Sequence, residues 1–160
     1  MHKTKNTLPL KTRTQVVELL NHALASCLDA MFNAKQAHWN VKGPHFIALH
    51  ELFDEVFEGL EEYTDTIAER IIQLGGVAEA TVQVVKQRTQ LKAYPLSASE
   101  GLSHADYLSD TLAALGKIVR EGIDKCTNLG DADAADILTE VSRGIDKHLW
   151  FVEAHLEGKK

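Results

Sequence analysis

Cysteine is scarce in this chain, and its two cysteines, Cys27 and Cys126, belong to no Cys-x-x-Cys pair. That excludes a thiolate zinc knuckle or a dithiol redox motif and leaves two inert thiols inside predicted helices. Proline and glycine are sparse too, at 3 and 10 residues, which excludes collagen-like and low-complexity chains and permits long helices. No apolar run approaches the ~18 residues of a membrane span, and "MHKTKNTLPLKTRTQ" lacks the apolar core of a secretory signal, so a cytoplasmic protein is expected. Positive charge is in deficit, with 17 Lys and Arg against 23 Asp and Glu and a net charge of -6, which excludes a body that is basic all over. The positive charge that exists gathers at the ends. Lys3, Lys5, Lys11 and Arg13 precede the first acid, Glu18, and Lys159 and Lys160 close the sequence.

What is present is helical periodicity. The length of 160 residues suits one domain, expected over 14–158 behind a flexible basic tail at 1–13. From Thr14 to about Val41, Val16, Val17, Leu20, Leu24, Leu28, Met31 and Phe32 recur at helical spacing. After the "VKGPH" break, Ile47, Leu49, Leu52, Phe53, Val56, Leu60, Ile67, Ile71 and Ile72 carry a second, long helix to Gly75 and Gly76. "ATVQVVKQRT" reads as a short helix within a long connection containing Pro95. Ser103 and Asp106 form a weak capping box for a third long helix ending at Gly130, and Asp131 or Asp133 opens a fourth running to Gly158. The pattern is all-α: a four-helix bundle with a crossover between its second and third long helices, carrying a short helix.

The second long helix bears a chemical stripe. Relative to His50, at ~100° per residue, Asp54 lies at about 40°, Asp65 at about 60° and Glu69 at about 100°. A solvated charged face is the plain alternative, since Glu51, Glu55, Glu58, Glu61 and Glu62 share the helix. The spacing adds a constraint. His50 and Asp65 stand ~22 Å apart along the axis at ~1.5 Å per residue, so one chain cannot bring both to one ion. Two such helices packed antiparallel about a two-fold axis would join His50 and Asp54 of one to Asp65 and Glu69 of the other, forming two equivalent sites. Imidazole with carboxylate suits iron(II) or zinc better than calcium or magnesium. The Glu-x-x-His pair of an intrachain di-iron bundle does not occur.

The segments "KQAHWNVKGPHFIALHELFDEV", "DTIAERIIQLGG" and "ADILTEVSRGIDKHLWFVEAHLE" together closely resemble the Dps family, the DNA-binding proteins from starved cells or mini-ferritins, over about residues 16–157. The resemblance implies a ferritin-like four-helix bundle assembled as a hollow dodecamer. It implies iron at a ferroxidase centre shared between two subunits, with His38, His50 and Asp54 from one and Asp65 and Glu69 from its two-fold mate. Hydrogen peroxide is the implied oxidant, and the ferric product is stored as mineral. Trp39 stands beside the centre in this reading, as an oxidisable indole or as plain core packing. His45 matches no ligand of the family and reads as a turn or surface residue.

Asp131, Asp133 and Asp136 fall where the family places acidic iron-entry pores, although aspartate also favours any helix N-terminus. Lys3, Lys5, Lys11 and Arg13 are the candidate DNA contacts. Repeated around an oligomer, they offer many weak phosphate contacts. The resemblance thus implies an iron-storing ferroxidase that protects DNA, and the competing reading is a nucleoid-associated protein whose main role is DNA compaction.

Overall fold

Helices begin and end where backbone groups find partners. The computed structural model describes residues 1–157, so the expected helix end at Gly158 and the Lys159–Lys160 pair lie outside the described residues. Five helices are present: α1 (Leu10–Asn40), α2 (Phe46–Gln73), α3 (Val82–Arg88), α4 (Gly101–Leu129) and α5 (Ala132–Ala154). Four are long, and α3 is the short helix of the crossover. Among the described residues no helix is long and apolar enough to cross a membrane.

Gly75 (φ 83°) and Gly130 (φ 81°) terminate α2 and α4 in the left-handed conformation that a side chain disfavours. Beyond each, a backwards bond satisfies a carbonyl the helix leaves open: Gly76 N–H donates to Ile71, and Asp131 N–H to Cys126. Asp131 then caps α5, its carboxylate accepting from the Ala134 N–H at 3.0 Å.

The first helix starts at Leu10, four residues before the expected boundary, because Pro9 supplies the carbonyl that accepts from Arg13 N–H. Lys11 and Arg13 are therefore helical. The Ser103/Asp106 capping box is not formed. The helix has already started at Gly101, whose N–H donates to the Lys42 carbonyl in the α1–α2 turn, and Ser103 lies inside the first turn.

Leu20, Leu24, Phe53, Leu60, Ile67, Leu108, Leu112, Leu115, Leu138 and Ile145 form one continuous buried core. Each such side chain contributes about 1.5–3 kcal/mol on burial. Phe32, Ile47, Ile72 and Trp150 obey the helical period yet remain exposed in the single subunit. The crossover is tied to α1: Asn21 donates to Val77 O and accepts from Glu79 N–H, while Arg88 bridges Glu18 and Glu79. These contacts pin the crossover along α1.

Candidate metal centre

The tight Gly43–Pro44 turn returns the chain so that the last turn of α1 lies beside the first turn of α2. His38 and His50 meet there, their rings stacked with centroids 3.7 Å apart. His38 Nδ1 donates to the His50 carbonyl at 2.7 Å, and His50 Nδ1 donates to the His38 carbonyl at 2.9 Å. A carbonyl can only accept, so each neutral ring holds its hydrogen on Nδ1 and keeps a lone pair on Nε2. Orienting a ligand histidine through its other nitrogen is the usual way a protein prepares it for metal. Both rings are half-buried, and Phe46 leans on His50 with centroids 5.1 Å apart.

Asp54, one turn further along α2, is joined to Lys35 of α1 by an ion pair with its hydrogen bond. The hydrogen bond from the Lys35 ammonium foremost holds the Asp54 carboxyl below the usual carboxylate range. Lys35 also lies over the Phe57 ring, 4.4 Å from its centroid. Lys35 lies outside the α2 stripe that reveals the other site residues, yet its position one turn before His38 on the same helix is a usable signal. Among the described residues no three His, Cys, Asp or Glu side chains gather closely enough within one subunit to hold an ion. The subunit thus presents two prepared imidazoles and a lysine-held carboxylate.

Asp65 and Glu69 lie on exposed turns towards the other end of α2, away from the histidine pair. Trp39 is 71% exposed, so packing beside the centre is not made within the subunit. His45 is exposed at the start of α2, as expected.

The acidic trio at α5 divides. Asp131 is 1% exposed in the single subunit, and its Oδ1 faces the buried Arg70 guanidinium and accepts from the Ala134 N–H that it caps. Asp133 is exposed with its carboxylate 3.4 Å from Arg70, and Asp136 is exposed. Of the basic candidates, Lys3, Lys5 and Lys11 are exposed, whereas the Arg13 guanidinium donates to the carbonyls of Leu8 and Leu74.

Residues 17–160 match the ferritin-like domain family. The chain is 46% identical over 158 residues to the DNA protection during starvation protein of Agrobacterium fabrum, covering 99% of this chain and 98% of that one. Its fold superposes on Mycobacterium smegmatis Dps with a TM-score of 0.93 at 30% identity, covering 99% and 96% of the two chains. It also superposes on Dps from Microbacterium arborescens, solved in a high-iron form, with a TM-score of 0.86 at 31% identity over 96% and 97%. A bundle of four long helices with a helical crossover, a histidine pair at the α1–α2 turn and this degree of likeness lead to one conclusion: the chain belongs to the ferritin-like family and, within it, to the Dps proteins.

Proposed function

We propose that the protein is a ferroxidase and iron store. It oxidises iron(II) with hydrogen peroxide, keeps the ferric product as mineral within a hollow dodecamer, and so protects DNA from radical damage. The observation that carries this reading is the reciprocal His38–His50 pair, whose two Nε2 lone pairs are free while both Nδ1 hydrogens are fixed. Such a pair is suited to a borderline divalent cation.

In this reading iron(II) is substrate. His38 and His50 bind and orient it, and Asp54 compensates its charge once Lys35 gives way. Asp65 and Glu69 of the two-fold mate complete the ligand set. Open positions left by so small a set admit the oxidant. Each peroxide takes one electron from each of two iron(II) ions and, with two protons, leaves as two waters. The exposed apolar rings of Phe46 and Trp39 beside the half-site support burial against a second subunit, since aromatic surface next to a polar centre is characteristic of interface cores. Trp39 would then lie beside the completed centre. Asp133 and Asp136 supply the acidic path for iron(II) entry, where fixed negative charge lowers the cation's desolvation cost.

Anaerobic titration of iron(II) into the assembled protein, followed by peroxide, tests the proposal. Saturable binding and then a ferric absorbance rising with each peroxide addition are expected. Absence of saturable binding in an intact assembly would overturn it.

A further inference from the structure

The first turn of α4 is seated in the notch of the helical hairpin that carries the histidine pair. One arm of that hairpin is the end of α1, with His38; the other is the start of α2, with His50. Gly101 N–H donates to the Lys42 carbonyl at 3.1 Å. A Cβ on Gly101 would stand 2.9 Å from Leu49 Cδ1 and 3.0 Å from Lys42 O, with Val41 Cγ2 at 3.5 Å. Val41 and Lys42 continue the first arm, and Leu49, fully buried, is the neighbour of His50 on the second. Gly101 is not among the glycines at positive φ, so its backbone would accept any residue. The space is what demands glycine. Three residues on, buried His104 shares a hydrogen bond of 2.6 Å between its Nδ1 and the Tyr94 hydroxyl of the crossover, and its ring lies beside the Asn40 backbone at the end of α1. Asn40, Val41, Lys42 and Leu49, all between His38 and His50 in the chain, therefore meet one turn of α4.

We infer that Gly101 is a positioning residue for the metal centre: its missing side chain lets the two arms of the hairpin close on α4, and that closure sets the spacing of His38 and His50. The inference deepens the proposed ferroxidase reading and rests on it. The reciprocal bonds from each Nδ1 to the other histidine's carbonyl run from arm to arm at 2.7 and 2.9 Å, so a wedge between the arms lengthens both. Hydrogen bonds weaken as they leave their normal geometry, and each imidazole then loses the contact that orients its Nε2 lone pair. Tyr94, through His104, extends the same support into the crossover.

Gly101→Ala tests this in the assembled protein, with anaerobic cobalt(II) as the probe. Alanine favours a helix over glycine, so propensity alone predicts no weakening of α4. Cobalt(II) should bind about tenfold more weakly than to wild type, the lower end of what a metal site loses with an orienting contact, and its visible absorption should shift with the altered ligand geometry. In the metal-free protein, amide hydrogen exchange should quicken at residues 38–50 and stay unchanged in α5. Adding Leu49→Val removes the Cδ1 atom in the way and should restore part of the affinity together with the wild-type spectrum. If Gly101→Ala does not assemble, Tyr94→Phe carries the test: it removes the hydrogen bond to His104 without adding an atom to the notch, and a loss of about two- to threefold with the same spectral shift is expected. In whichever variant assembles, wild-type cobalt(II) affinity with a wild-type spectrum overturns the inference. Wild-type protein that takes up no cobalt(II) would overturn the metal centre and the inference with it, a failure visible before any variant is made.

Discussion

Helix α2 carries two faces that use similar side chains to opposite ends. On the face turned outward, His50 meets His38 with both Nε2 atoms free, and Asp54, Asp65 and Glu69 follow along the stripe. About 180° around the helix, Gly59 lies under His148 of α5. A Cβ at Gly59 would stand 2.4 Å from His148 Nε2, and one turn on, a Cβ at Gly144 of α5 would stand 1.7 Å from the Tyr63 hydroxyl. Each helix thus seats a ring on the other's glycine, in antiparallel register. His148 is 5% exposed, its Nδ1 finds no partner among the described residues, and burial pushes its pKa down. One histidine environment offers lone pairs to a ligand. The other gives up hydrogen bonding for packing, and so fixes the rod from which the first is displayed.

The largest effect should come from breaking the packed face. Gly144→Ala forces the Tyr63 ring to move, and overpacking of this kind costs about 1–3 kcal/mol, less the ~1 kcal/mol that alanine regains in a helix. Urea unfolding should therefore show a lower midpoint. The double variant Gly144→Ala/Tyr63→Ala should show coupling, because the cavity left by the ring accepts the new methyl. Strict additivity would mean that the two residues do not oppose each other.

A smaller effect separates the histidines by pH. His148 is harder to protonate folded than unfolded, where its value is near ~6.5, so the unfolded chain binds more protons just below that pH. Stability of the iron-free protein should fall as pH drops below ~6.5 and level off beneath the folded value. Buried His104, shifted in the same direction by burial, adds to this slope. His148→Gln should flatten it in part, measured as unfolding midpoints between pH ~7.5 and ~5.5. An unchanged slope would remove His148 from the account.

The smallest effect belongs to the outward face. Lys35 competes with any cation for Asp54 through a partly exposed ion pair, and such pairs are worth ~0.2–1 kcal/mol. Lys35→Gln should tighten anaerobic iron(II) binding by about two- to fivefold. Weaker binding would instead make Lys35 an organiser of the site.

Much of this was legible in the sequence because it rests on local rules. The 3.6-residue period located every long helix, glycine marked the ends of α2 and α4, and the pair Asp131 and Asp133 bracketed the start of α5, which Asp131 caps. The His50-to-Glu69 stripe follows from helix geometry alone. What sequence could not give depends on distant chain segments. Arg70 reaches across 61 residues to pair with Asp131, a contact that no local pattern around either residue announces. Lys42 O supplies the start of α4, which bypasses the Ser103 box. The Arg13 guanidinium reaches 61 residues along the chain to the Leu74 carbonyl, which ties the start of α1 to the end of α2. Phe32, Ile47, Ile72 and Trp150 keep the helical period but lie outside the subunit's core, because periodicity identifies an apolar face without saying what covers it.

The central claim is that the metal centre is divided between two subunits, and mixed assembly tests it most directly. Subunits bearing His50→Ala/Asp54→Ala retain Asp65 and Glu69; subunits bearing Asp65→Ala/Glu69→Ala retain the histidine half. Neither parent assembly should bind iron(II) tightly or oxidise it quickly. After dissociation and reassembly, with subunit exchange verified by mass, each mixed pair should regain one intact site of its two. Iron(II) binding and oxidation should then reappear to about half the wild-type level per mixed pair. Verified mixed assemblies that perform no better than either parent would contradict the shared centre.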